Sequence, residues 1–330
     1  MGEESVVGLF RRLRGRAQER VGGPVMDPAF GDPVARALVD ALETRDWRAA
    51  RDVLTPVTDP DDRAYLMEAA GRVDGVQDWI GEWVAAEPDS TLPVLVRGCH
   101  AFYWAWEARG NKRAQHTGQD QFREFHKRLL VAENLLDEVA DRDPDDVTSR
   151  AWLVATSRAR QVDPDEAAAR FDAVVTRHPG HQVAHEHRLQ YLCPKWFGTE
   201  EAMFSLARAA TASAPEGSML PALIAAAHIE KWLELPAEED DAYMRSDEVG
   251  AELVAAAEKS ILHPTFRPGP GLAPRAGLFA LALELAHEFE AAARVFDLLG
   301  DQVSEWPWGY VGEPVAAFVR SRDWVRENLS

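Results

Sequence analysis

Residues 132–144 (AENLLDEVADRDP), 167–179 (AAARFDAVVTRHP) and 203–215 (MFSLARAATASAP) share one pattern of apolar residues. In each stretch, positions 1, 5 and 8 are apolar and position 13 is a proline. Residues at i, i+4 and i+7 lie on one face of a helix, and proline cannot continue the helical hydrogen-bond ladder. The prolines are 35 and 36 residues apart, a spacing typical of repeats built from two helices. The pattern therefore predicts a series of helical hairpins.

The stretch 76–88 (VQDWIGEWVAAEP) follows the same rule, although 56 residues separate its proline from the next one. Acidic residues surround prolines at 59–62 (DPDD), 143–146 (DPDD) and 163–165 (DPD). These runs lack the glycine and the closing glutamate of a calcium-binding loop, whereas aspartate readily caps a helix N-terminus. We therefore expect helices to begin at these runs.

Composition favours an all-α fold, because most stretches have the periodicity of amphipathic helices and few have that of strands. We expect an alpha-alpha superhelix (a solenoid) of hairpins over residues 26–262, after a basic flexible tail at 1–25. A Pro/Gly-rich linker at 263–275 then precedes a C-terminal helical cap at 276–330.

The net charge of −19 makes binding of nucleic acid to the main body unfavourable. No stretch has the roughly 20 apolar residues that cross a bilayer, so we expect no transmembrane segment. The only cysteines are Cys99 and Cys193, without a CxxC motif, which is typical of a reducing compartment. We expect an acidic cytoplasmic protein.

Residues 75–215 resemble the tetratricopeptide-repeat family, since Ala167, Phe171 and Pro179 have the spacing of that repeat's small, aromatic and closing proline positions. Leu136 and Ala207 replace the aromatic residue in other units. Segments 192–198 (LCPKWFG) and 227–232 (AHIEKW) are similar to those of bacterial proteins of a divergent type. The resemblance implies stacked hairpins whose concave face binds a peptide or protein, and it implies no catalysis.

Histidines cluster at His178, His181, His185 and His187. His181 and His185 are one helical turn apart, which is a suitable spacing for a transition metal such as zinc. The alternative is a repeat boundary that happens to be rich in histidine, since no HExxH motif accompanies the pair. We expect no cofactor, with a metal at this pair as the alternative.

A second candidate site combines cationic and aromatic side chains. Its members are Trp152, Arg160, His185, Arg188, Lys195 and Trp196. Charge-assisted hydrogen bonds from such groups suit a carboxylate or a phosphate, while tryptophan adds apolar contact area. We expect a partner protein or peptide with an acidic or carboxylate-bearing segment to bind here. Ordinary surface charge and packing is the alternative explanation.

Two weaker features complete the candidates. His100 and Trp104 suggest a helical cavity, but Cys99 beside His100 is poorly placed for proton transfer because adjacent helical residues point about 100° apart. The acidic run at 238–241 (EEDD) is expected to be a solvated loop.

No catalytic motif is present, so the sequence favours a binding or scaffold protein. An atypical enzyme or a small-molecule-binding protein with a site in the helical cavity is the alternative.

Overall fold

A computed structural model describes residues 23–110 and 118–329 of the chain. These residues contain sixteen α-helices and two strands of two residues each, so the predicted all-α class is confirmed. No helix in these ranges is both long and apolar enough to cross a membrane. Most of the predicted basic tail, residues 1–22, lies outside the described residues.

The described residues form two compact units. The first consists of residues 31–110 and 118–184, and the second of residues 23–30 and 185–329. The boundary falls within one helix, Gln182–Leu192.

The first unit contains eight complete helices and the start of a ninth. They are α1 (Pro33–Glu43), α2 (Trp47–Leu54), α3 (Pro60–Gly71), α4 (Ile80–Ala86), α5 (Leu92–Arg109), α6 (Gln119–Arg142), α7 (Val147–Arg160), α8 (Pro164–Val175) and α9 (Gln182–Leu192). Successive helices pack against each other from α5 to α8, and α3 contacts α5 and α7.

Aspartate side chains cap the helices that follow the acidic runs. Asp59 accepts hydrogen bonds from the first-turn amides of α3, Asp163 does so in α8, and Asp146 accepts from the amide of Ser149 in α7. The carboxylates satisfy amide groups that have no partner inside the helix. The predicted capping role of these runs is therefore confirmed.

The apolar triplets face the interior, as the hairpin pattern predicts. Eleven of the twelve residues are buried, and Phe171 is half-buried against a cluster that includes Val154 and Val174. The triplets before Pro88, Pro144 and Pro179 belong to the first unit, and the triplet before Pro215 belongs to the second.

The second unit contains the rest of α9, seven further helices and a short parallel pair of strands. The helices are α10 (Glu200–Ser213), α11 (Ala222–Glu234), α12 (Asp240–Met244), α13 (Asp247–Lys259), α14 (Leu272–Leu285), α15 (Phe289–Leu299) and α16 (Pro314–Glu327). Strand β1 (Val25–Met26) pairs with β2 (Gln302–Val303). One continuous apolar core joins α10, α11 and α13 to the C-terminal helices.

Two segments of the second unit differ from the sequence expectation. The Pro/Gly-rich stretch 263–275 lies inside this unit, and α14 begins within it at Leu272. The acidic run at 238–241 leads directly into α12, because Asp240 and Asp241 form its first turn. Carboxylates are favourable at a helix N-terminus, so an acidic run also marks the start of a helix.

His100 on α5 is a buried polar group of the first unit. Its Nδ1 lies 3.1 Å from the carbonyl oxygen of Gly71, and its Nε2 lies 2.7 Å from Oε1 of Gln77. Burial lowers the pKa of His100 to about 4, so the folded chain holds a neutral ring, whose single proton can be donated to only one of these two oxygens.

We predict that His100 makes the first unit sensitive to mild acid. The unfolded chain binds a proton at His100 below pH 6.5, whereas the folded chain does so only near pH 4. The contribution of the neutral His100 ring to stability is therefore fully present above pH 6.5 and decreases as the pH falls from 6.5 towards 4. Between neutral pH and about pH 5, the wild-type protein should lose about 2 kcal/mol more unfolding free energy than His100→Asn. Urea titrations at both pH values measure this difference, and equal pH dependence of the two proteins would contradict it.

Candidate binding cleft

A cleft of about 890 Å³ opens in the second unit. Its walls come from α10, α11, α12 and α13. The residues that carry its chemistry are Glu200, Phe204, Arg208, His228, Lys231, Tyr243 and Glu252. We call it the hairpin cleft, because α10 and α11 pack together as neighbours along the chain.

A chain of hydrogen bonds crosses the hairpin cleft. Tyr243 Oη lies 2.6 Å from His228 Nδ1, and His228 Nε2 lies 3.1 Å from Glu252 Oε2. Arg208 donates to the same carboxylate through Nε at 2.7 Å and Nη2 at 2.9 Å. This two-pronged geometry fixes the orientation of Glu252. Each member of the chain is therefore held by its neighbour.

The charges of this chain determine the position of the histidine proton. The hydrogen bond from Arg208 lowers the pKa of Glu252, whose carboxylate can then only accept. Burial lowers the pKa of His228, which favours the neutral ring. The ring proton must then lie on Nε2 and point at Glu252, so Nδ1 accepts the hydroxyl proton of Tyr243. Burial also raises the pKa of Tyr243, which keeps that proton in place.

Aromatic rings and a lysine form the rest of the wall. The rings of Phe204 and His228 meet edge to face with centroids 5.0 Å apart. Lys231 Nζ lies 4.6 Å from the centroid of the Tyr243 ring, and it donates to Glu200 Oε1 at 2.5 Å. An ammonium group is thus held between an aromatic face and a carboxylate, both of which attract cations.

Two residues of the candidate site predicted from the sequence belong to the first unit. Trp152 is fully buried and meets Phe102 and Tyr103 edge to face, with centroids 5.5 and 5.6 Å away. Arg160 Nε donates to the buried carboxylate of Glu133 at 2.8 Å. Trp152 is therefore a core aromatic residue, and Arg160 compensates a buried charge.

The other four predicted residues belong to the second unit. Lys195 forms an ion pair with Glu230, which is only 2% exposed. Trp196 is partly buried against the core of the unit, and His185 is buried. The guanidinium of Arg188 lies 5.3 Å from the centroid of the Tyr191 ring. Binding of a partner by these residues stays a prediction, but Lys195 already has a strong internal partner.

The histidine cluster surrounds the start of α9. In the first unit, His178 Nε2 lies 3.2 Å from Asp61 Oδ2, and His181 Nδ1 lies 3.8 Å from Asp61 Oδ1. The same Oδ1 atom accepts from the amide of Gln182 at 2.7 Å, so Asp61 caps α9 from a distant part of the chain. In the described ranges, no group of three or more His, Cys, Asp or Glu side chains is arranged to hold a metal ion. A metal at His181 and His185 stays a prediction.

The Cys99, His100 and Trp104 candidates also lie in the first unit. Burial raises the pKa of the Cys99 thiol, so the sulfur is protonated. Gly71 and Gln77 occupy the two ring nitrogens of His100. The guanidinium of Arg128 lies 3.8 Å from the centroid of the Trp104 ring. Cys99 is thus buried in the core, and His100 and Trp104 have partners within their own unit.

The chain matches no protein-family model, no curated protein and no solved structure. The likeness to tetratricopeptide repeats therefore rests on the residue pattern and on the helical fold.

Sequence reasoning missed every member of the hydrogen-bond chain in the hairpin cleft. Local spacing gives a partial signal, because Phe204 and Arg208 are four residues apart and so share a helix face. Glu248 and Glu252 have the same spacing. The contacts of His228 with Tyr243 and Glu252 join separate helices, and no local pattern encodes them.

We predict that Lys195 is required for the stability of the second unit. Among the described residues, its removal leaves the buried Glu230 carboxylate with the amide of Gln190 at 2.7 Å and the hydroxyl of Tyr310 at 3.4 Å. Lys195→Met should lower the free energy of unfolding by about 3 kcal/mol, because a buried charge loses its counterion. Urea denaturation measures this change.

The double variant Lys195→Met, Glu230→Gln should recover more than half of the loss, since no charge then remains buried at this position. As a matched control, Lys127→Met removes an ammonium from a side chain that is 75% exposed; its effect should stay within about 0.5 kcal/mol. An equally small effect of Lys195→Met would show that the ion pair is not structural.

Proposed function

We propose that this protein is a binding protein that holds a segment of a partner protein in the hairpin cleft. The cleft volume of about 890 Å³ lies within the range of about 300–1,000 Å³ that is typical of ligand sites. The observation that carries the proposal is the hydrogen-bond chain from Arg208 to Tyr243, which fixes the polar groups of the cleft in advance. Groups held in place in this way lose little entropy when a ligand binds.

The wider architecture is part of the same proposal. Helices α5 to α8 pack in succession within the first unit, and α10 to α16 do so within the second, which supports tetratricopeptide-like hairpins in each unit. The buried thiols of Cys99 and Cys193 agree with a cytoplasmic location. The sequence pointed to an acidic partner through cations such as Arg160 and Lys195. Because both of these form ion pairs within their own units, we place the binding site in the hairpin cleft instead.

Blocking the cleft should abolish binding. Ser205 lines it and is exposed, so Ser205→Trp puts a large ring into the space that a peptide would occupy. The probes are twelve-residue peptides that are selected from a phage-displayed library against the full chain and resynthesised with a fluorescent label. We expect them to bind Ser205→Trp at least about tenfold more weakly than wild type, a loss of about 1.4 kcal/mol. Fluorescence anisotropy measures both affinities.

The matched control is Ser213→Trp. Ser213 is exposed on the same helix, α10, and lies outside the cleft wall. This control should keep wild-type affinity within about twofold. Selected peptides that bind both tryptophan variants as tightly as wild type would place the binding site elsewhere.

The contact between Tyr243 and His228 favours a second candidate, an enzyme that uses acid–base chemistry. A neutral imidazole 2.6 Å from a hydroxyl can accept its proton while the oxygen attacks an electrophile. We predict that N-acetylimidazole acetylates Tyr243 at least tenfold faster than Tyr310 in the same sample, and that His228→Asn removes the advantage. Mass spectrometry of peptides gives both rates. Equal rates in the wild-type protein would leave this candidate without support.

A further inference from the structure

Lys231 occupies a position in the hairpin cleft that is suited to any ammonium or guanidinium group. Its Nζ atom lies beside the Tyr243 ring and bonds to Glu200 on a different helix. The side chain of Lys231 is 26% exposed, so it can move into solvent without crossing the core. The ammonium group of Lys231 therefore occupies the position that a bound cation would take.

The charges of the cleft wall are unbalanced. Two cations, Arg208 and Lys231, face four carboxylates, at Glu200, Glu201, Glu248 and Glu252. Burial disfavours a charge on His228, so the wall carries an excess of two negative charges. Arg208 is paired with Glu252, and Lys231 is paired with Glu200. Glu201 and Glu248 form no ion pair within the described ranges.

We infer that the hairpin cleft binds a cationic side chain of its partner, a lysine or an arginine, which displaces Lys231 from Glu200 and Tyr243. This inference rests on the proposed function, because it names the guest of the same cleft. A cationic guest leaves the bond between Arg208 and Glu252 intact and adds the attraction of Glu201 and Glu248. An anionic guest would enter a field of the same sign.

The test uses three labelled dodecapeptides with one glycine–serine frame. They carry three lysines, three norleucines or three glutamates, and fluorescence anisotropy with the full chain measures each affinity. We expect the lysine peptide to bind at least tenfold more tightly than the norleucine peptide. Lys231→Met should tighten binding of the lysine peptide about fivefold, because the competing ammonium is gone.

The double variant Glu201→Gln, Glu248→Gln should weaken binding of the lysine peptide about fivefold. Its control, Glu290→Gln with Asp297→Asn, makes the same charge change at two exposed carboxylates of α15. This control should stay within about twofold of wild type, which separates the cleft from the general attraction of a chain with a net charge of −19.

The inference and the proposed function can fail separately. Weaker binding of the lysine peptide to Lys231→Met, or tighter wild-type binding of the glutamate peptide, would overturn the inference. The proposed function would stand if the preferred peptide still lost affinity in Ser205→Trp. If none of the three peptides bound, the inference would also be overturned, and the selected peptides would still test the proposed function on their own.

Discussion

A buried charge needs a counterion, and this requirement determines where the polar residues of this helical chain lie. Glu133 is 7% exposed and is compensated by Arg160 and Arg170 in the first unit. In the second unit, Lys195 compensates Glu230. An uncompensated charge would cost several kcal/mol, so Arg160 and Lys195, which look available in the sequence, pair with buried carboxylates instead. The hairpin cleft differs in that its carboxylates outnumber its cations.

Much of the helical architecture could be predicted because its determinants are local. A triplet such as Ala132, Leu136 and Val139 defines one face of one helix, and an aspartate such as Asp59 caps a helix within three residues of itself. Contacts between distant parts of the chain cannot be predicted from such local patterns. Asp61 caps α9 from 121 residues away. The run that contains it, at 59–62, has the same sequence pattern as a run that caps only the helix next to it.

The candidate site could not be predicted for the same physical reason. The sequence places Lys195 and Arg160 in polar surroundings, but only the fold shows that each faces a buried carboxylate. The cleft is assembled from four helices, and one of them, α12, is only five residues long and follows an acidic run that was expected to be a loop. That short helix supplies Tyr243, so the expectation of a loop gave no reason to predict the aromatic wall of the site.

The direction of each hydrogen bond in the cleft gives an independent argument for its chemistry. Arg208 directs two donors at Glu252, and His228 directs its single proton at the same carboxylate. Tyr243 in turn directs its hydroxyl proton at His228. Two N–H groups of Arg208 and the single protons of His228 and Tyr243 are therefore used inside this chain of hydrogen bonds. The carboxylates that outnumber the cations of the cleft are complementary to a guest that brings positive charge, and the ammonium of Lys231 already occupies such a position between Glu200 and the Tyr243 ring.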